Sequence, residues 1–236
     1  MKYSAGMSSP SAAQAQQDRQ LAQAEAARYA LLRRLAPAMR HHLVVNLQPI
    51  GMLHEVLDRR LRAAEPDLAH LKEGVHKINS FARAALHAST DMVTWLAPDP
   101  AAVCTAEEGV RECLGLVATN LGFRGFALHD EAGPVTGTVG RGALRCLLTA
   151  GLLQLTDEAA PPAEVLLRAQ ALAQGLELSL QLRPGGSNAG FPVDLGYRAL
   201  QRADLQALAQ AEGVALERED GGIRLVLPWQ QARPPA

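Results

Sequence analysis

Aromatic side chains are scarce in this chain, with four Phe, three Tyr and two Trp among 236 residues, a poverty common in helical bundles rich in alanine and leucine. Cysteine is scarce too. Cys104, Cys113 and Cys146 have no CxxC spacing, and their odd number argues against a disulfide framework, so they read as small core residues of a reducing cytoplasm. No apolar run approaches the roughly 18 residues of a membrane span, and the N-terminus has no hydrophobic signal core; sensing across a membrane through this chain is not expected. A formal charge of −1 removes the electrostatic reason to propose nucleic acid or a bulk membrane surface as partner. What remains is length enough for one large domain or two small ones.

The chain divides by rhythm. Residues 1–17 are Ser, Ala and Gln without a periodic apolar face, and predict a disordered tail or a frayed helix start. Residues 18–97 predict a helical hairpin. Its first helix keeps a stripe through Leu31, Leu35, Met39, Leu43, Leu47, Ile50, Leu53 and Leu57, with Pro37 and Pro49 expected to kink it. Residues 63–67, with Pro66, form the turn. The second helix repeats Leu68, Leu71, Val75, Ile78, Ala82, Ala85, Ser89, Met92 and Leu96 at steps of three and four, a heptad-like seam that wants a partner. Pairing two hairpins into a dimeric four-helix bundle is the economical solution.

Ala97-Pro98-Asp99-Pro100 reads as a linker. Residues 101–230 then run helix (105–120, Thr105 as N-cap), short strand (126–129), apolar helix (141–156), two strands (164–172 and 175–182), a Gly- and Pro-rich loop, a helix closed by Gly213, and a final hairpin about Asp220-Gly221-Gly222. Antiparallel strands with helices on one face predict an α+β two-layer sandwich.

Within the first helix, apolar residues stand at +2 (Leu43), +6 (Leu47) and +9 (Ile50) from His41. At about 100° per residue these cluster on one side and His41 projects opposite, while His42 falls on the flank. A neutral imidazole held in solvent is a competent nitrogen nucleophile. The pattern H-x-L-x-x-x-L-x-x-I resembles the H-box of histidine kinases and kinase-like histidine phosphotransferases, and the order hairpin then sandwich, over residues 21–229, resembles the Bergerat-type ATP-binding domain that follows it there. The resemblance implies that His41 is a phosphoacceptor, with His42 the less favoured neighbour, on a dimeric bundle that meets a receiver domain or a kinase. Arg33, Arg34 and Arg40 surround the segment and are expected to draw an acidic receiver surface or a phosphoryl group.

The family's nucleotide chemistry is missing. Where N-x-x-x-N would supply an asparagine for magnesium stand Leu147 and Gly151, and neither offers an oxygen ligand. Arg183-Pro184-Gly185-Gly186-Ser187-Asn188 replaces the D-x-G-x-G motif with no acid, Val193-Asp194-Leu195-Gly196-Tyr197-Arg198 replaces the lid glycines, and His42 stands where an acidic general base is usual. The resemblance therefore implies a histidine phosphotransferase with a vestigial ATPase domain. It would need no cofactor of its own, magnesium arriving with the receiver. A non-catalytic adaptor and a diverged ATP-dependent autokinase stay open as alternatives. No metal site is expected: His41 and His42 point about 100° apart, with Val45 and Asn46 at i+4. His54, His70, His76 and His87 read as solvated, and His129-Asp130 has no nucleophile motif beside it.

Overall fold

The computed structural model describes residues 11–186, 189–191 and 196–231. Helix α1 (Ala12–Leu61) opens on a capping box in which Ser11 and Gln14 each satisfy the other's backbone N–H. It begins inside the stretch expected to be a tail or a frayed helix start, because that reciprocal cap lets a polar alanine- and glutamine-rich segment join the helix. The remainder of that stretch, residues 1–10, lies outside the described residues. The helix passes through Pro37 and Pro49 without a break. After a turn, Asp67 caps helix α2 (Leu68–Leu96) by accepting from the N–H groups of Ala69 and His70.

The heptad seam of α2 resolves into two rows. Leu71, Ile78, Ala85 and Met92 turn towards the rest of the protomer and are buried or half-buried; Leu68, Val75, Ala82, Ser89 and Leu96 are all exposed. The helices approach closely at Gly74, where a Cβ would stand 2.5 Å from Leu57 Cδ2.

Beyond the linker come β1 (Val103–Thr105), α3 (Ala106–Phe123), β2 (Phe126–Asp130), β3 (Thr138–Gly140), α4 (Arg141–Asp157), β4 (Ala163–Ala171), β5 (Gly175–Pro184), α5 (Arg202–Glu212), β6 (Ala215–Glu219) and β7 (Gly222–Pro228). Thr105 and Glu108 cap α3 reciprocally, and Gly213 closes α5 at φ +64°. A five-stranded sheet runs β2-β4-β5-β7-β6, and β1 pairs with β3 apart from it. One expectation is corrected: β2 pairs with β4 in parallel. The chain leaves β2, crosses through α4 and returns, and such a crossover brings a strand back in the same direction. The whole is α+β, with a mixed sheet.

Alternation makes the core. Val165 and Leu167 of β4, Leu176, Leu178 and Leu180 of β5, and Ile223, Leu225 and Leu227 of β7 are buried in register, Leu167 opposite Leu180 and Leu180 opposite Ile223. Over them lie Leu144, Leu147, Leu148, Leu152 and Leu155 of α4 with Leu205 and Leu208 of α5. Burying each such side chain contributes about 1.5–3 kcal/mol. The first half of α1 joins this core: Ala27, Ala30, Leu31, Leu35 and Met39 belong to the same buried cluster as α4 and the sheet. Ala24, Ala27 and Ala30 let the helix lie close, and Arg28–Glu212 (2.6 Å) and Arg34–Asp157 ion pairs hold it. Helix α1 therefore changes partners midway, from the α/β layer to α2.

Candidate functional site

His41 lies just past that change of partner and is exposed; of the three residues expected to pack opposite it, Leu43 and Ile50 are half-buried, and Leu47 departs from the expectation at 52% exposed. Measured around the helix axis from His41, Val45, Met52 and Val56 fall within about 60° of it. All three are exposed, Met52 by 62%. His41 thus shares one solvent-facing side of α1 with these apolar residues and with the exposed Gln48, Glu55 and Arg59. Its ring centroid is 6.4 Å from that of His42, the planes tilted by 52°.

His42 is half-buried. It borders a cavity of about 30 Å³ with Met39, Asp91, Met92, Trp95 and Leu116. Its carbonyl accepts from Asn46 Nδ2 at 2.8 Å. Packing on one side and the flank position on the helix together make it the less accessible of the two imidazoles.

The three arginines separate. Arg40 is exposed and, among the described residues, meets no carboxylate. Arg33 lies over the ring of Tyr197, 5.3 Å from its centroid, and Tyr197 meets Tyr29 edge-on at 5.8 Å. Arg34 corrects the expectation placed on it. Its guanidinium donates to both oxygens of Asp157, at 2.7 and 2.9 Å, with the two side chains 3% and 2% exposed. A sealed guanidinium already paired cannot greet a partner; it fastens α1 to the end of α4. Arg124 completes the junction, donating to Asp157 Oδ1 at 2.9 Å and to the Thr156 carbonyl at 3.0 Å, while the Leu200 N–H reaches Asp157 Oδ2.

A second charged junction ties α2 to α3 and α4. Arg145, 4% exposed, donates from Nε to Glu112 (2.7 Å), from NH1 to Thr94 (2.7 Å) and from NH2 to Asp91 (2.6 Å), and its guanidinium covers Trp95 at 5.0 Å. It borders a cavity of about 430 Å³ shared with His87, Asp91, Glu112 and Arg141. With all three of its nitrogens engaged, Arg145 fixes geometry instead of binding a ligand. Neither Asp157 nor Arg145 carries a sequence signal beyond its type, because both partners lie far along the chain.

The residues at the nucleotide positions do not fit a magnesium nucleotide. Leu147 is fully buried, and a Cβ on buried Gly151 would stand 3.1 Å from Leu180 Cδ1, so both positions point into the sheet core. Of the stretch that replaces D-x-G-x-G, Arg183 to Gly186 are described and carry no acid, and Ser187 and Asn188 lie outside the described residues. Val193, Asp194 and Leu195 lie outside them as well. Tyr197 is held against α1, and Arg198 pairs with Asp204 at 2.6 Å. Among the described residues no three His, Cys, Asp or Glu gather to hold a metal.

The remaining histidines are exposed, His70 against Asp67 at 2.7 Å and His129 3.6 Å from Glu164. Cys104 and Cys113 are buried, and loss of solvent pushes their thiols up to about 11 and about 12. No described helix is long and apolar enough to cross a membrane.

No family model matches the chain, and no curated protein matches it. Solved structures show a distant likeness. The histidine kinase AdeS of Acinetobacter baumannii is 12% identical with a TM-score of 0.41, over 78% of this chain and 96% of that one. A histidine kinase of Burkholderia phymatum is 15% identical with a TM-score of 0.42, over 84% and 99%. A bacterial phosphotransferase is 13% identical with a TM-score of 0.37, over 84% and 95%. At that distance none of them carries its activity over to this chain, and function has to be argued from the residues.

Proposed function

We propose that this chain is a dimeric histidine phosphotransfer protein of a two-component pathway, exchanging a phosphoryl group between His41 and the aspartate of a receiver domain. The observation that carries the reading is the exposed His41 on the same side of α1 as the exposed Val45, Met52 and Val56, with Leu43 and Ile50 half-buried on the opposite side. A protein partner needs apolar surface to dock and an open nucleophile to react with, and both lie on one side of α1.

The step balances within the two side chains. The lone pair of an imidazole nitrogen attacks phosphorus, the bond from phosphorus to the aspartyl oxygen breaks, and the carboxylate leaves with those electrons. Run backwards, the same step returns the group to the receiver. Magnesium enters with the receiver in this scheme. Leu147 and Gly151, sealed against the sheet, support transfer without ATP. Arg33 and Arg40 remain placed to favour an acidic partner; Arg34 is withdrawn from that role.

Dimerisation is supported by the outer row of α2. Leu68, Val75, Ala82, Ser89 and Leu96 recur every seven residues and are exposed on the lone protomer. A second hairpin packed on this row closes a four-helix bundle.

The reading is tested by incubating the protein with labelled ATP and magnesium, and separately with receiver domains of the host's response regulators phosphorylated by acetyl phosphate. Label from a receiver and none from ATP is the expected result. Label from ATP alone restores the autokinase, and receiver binding without label in either experiment selects the adaptor.

A further inference from the structure

Where α1 lies on the α/β layer and the last turn of α2 meets it, the protomer encloses a cavity of about 260 Å³ whose lining includes neither His41 nor His42. Leu31, Leu32, Trp95 and Pro98 make its wall mainly apolar, and Cys146 of α4 and Glu212 of α5 complete it. An occupant touches the hairpin and the α/β layer at once. An engineered apolar cavity of about 150 Å³ holds benzene, and ordinary ligand pockets begin near ~300 Å³. The space suits one ring with a short substituent.

The wall also specifies the chemistry of an occupant. Trp95 is 8% exposed, and its Nε1 is a buried donor without a hydrogen-bond partner among the described residues. Buried N–H groups nearly always find an acceptor, so this one has a bond still to make. The other cavity that Trp95 borders, beside His42, has about 30 Å³, room for a single water and for no larger molecule. Charge narrows the choice further. Arg28 is paired with Glu212 at 2.6 Å and Arg145 with Asp91 and Glu112, while Glu25 adds another carboxylate to the lining. An anion meets repulsion there, with no guanidinium of the lining left without a carboxylate. An ammonium offers the indole no acceptor and is costly to move among apolar side chains.

We infer that this cavity is a binding site for a small uncharged molecule, an apolar ring or short chain carrying one oxygen that accepts from Trp95 Nε1. A ketone, ester or amide oxygen meets that description; a carboxylate or an amine does not. Because neither His41 nor His42 lines the cavity, the site stands apart from the phosphotransfer reading and does not depend on it. It gives the junction of hairpin and α/β layer a ligand-binding role beside that of holding α1 in place.

The test labels the full chain with nitrogen-15 and follows the indole N–H resonances of its two tryptophans by NMR. Trp229 is the internal control, because its Nε1 already donates to the Leu172 carbonyl at 2.9 Å; Trp95→Phe assigns the other signal. Acetophenone is the probe, compared with cumene, which has nearly the same shape without the oxygen, and with benzoate and benzylamine. The expected result is a saturable downfield movement of the Trp95 resonance with acetophenone while that of Trp229 holds still, and an affinity about fivefold above that of cumene. Benzoate and benzylamine bind more weakly than acetophenone. In Trp95→Phe, followed through the ligand signals, the preference for acetophenone over cumene disappears, and Leu32→Phe, which narrows the cavity, weakens both neutral probes. A Trp95 resonance that acetophenone does not move, tighter binding of benzoate or benzylamine than of acetophenone, or a preference for acetophenone that survives Trp95→Phe overturns the site.

Discussion

Arg34 and Asp157 meet in a two-pronged ion pair, 123 residues apart in sequence, with both side chains at most 3% exposed. This contact sets the relation of His41 to the α/β layer, because it fixes α1 to the end of α4 two turns before the histidine. Removing one partner strands the other's charge in a dry setting, which costs about 3–5 kcal/mol. Asp157→Ala strands both Arg34 and Arg124 and is expected at the upper end of that range; Arg34→Ala leaves Arg124 to Asp157 and is expected near the lower end. Urea denaturation of the two variants checks the order, and a loss below about 1 kcal/mol for Asp157→Ala contradicts it.

The outer row of α2 predicts the assembly. Charges at Val75 and Ala82 sit on the proposed dimer face and touch little of the protomer's own core. Val75→Glu with Ala82→Glu is expected to give a folded monomer by sedimentation while helical circular dichroism of the α/β layer persists. A double variant that remains dimeric places the interface elsewhere.

Acid should weaken the junction of Arg198 with the start of α5. Burial pushes the Asp204 carboxyl up, but hydrogen bonds from Arg198 and the Gln201 N–H, and the charge of Arg198, outweigh it and hold the group below its ordinary range. A carboxyl with a folded value below its unfolded value near ~3.9 stabilises the fold above that pH, and the contribution is lost as pH falls through the folded value. Asp204→Asn is therefore expected to be less stable than wild type at pH 7, by about 1 kcal/mol, with the gap closing below about pH 4. Urea midpoints at pH 7 and pH 3.5 decide; a gap that does not narrow at low pH refutes the assignment.

The sequence made some of this legible and hid the rest for physical reasons. Heptads on α2, the Thr105 cap, the Gly213 stop and the alternation of Leu176, Leu178 and Leu180 are local patterns, and each element they predict is present. The three-residue strands β1 and β3 are too short to alternate, and the parallel pairing of β2 depends on the path of α4, so neither is written locally. At the candidate site, the exposure of His41 agrees with its spacing, while Leu47, placed by the same spacing on the packed side, is exposed because nothing among the described residues covers that part of α1. The pairing of Arg34 is hidden, because an arginine's neighbours in sequence cannot reveal a carboxylate 123 positions away.

The most direct test of the account is the position of the phosphoryl group. Full-length wild type, His41→Gln and His42→Gln are each mixed with a host receiver loaded by acetyl phosphate, quenched at alkaline pH, and examined by phosphorus resonance and peptide mass. The account predicts an acid-labile phosphohistidine at position 41 in wild type and in His42→Gln, and none in His41→Gln. Phosphohistidine that persists in His41→Gln, or that maps to His42, contradicts it.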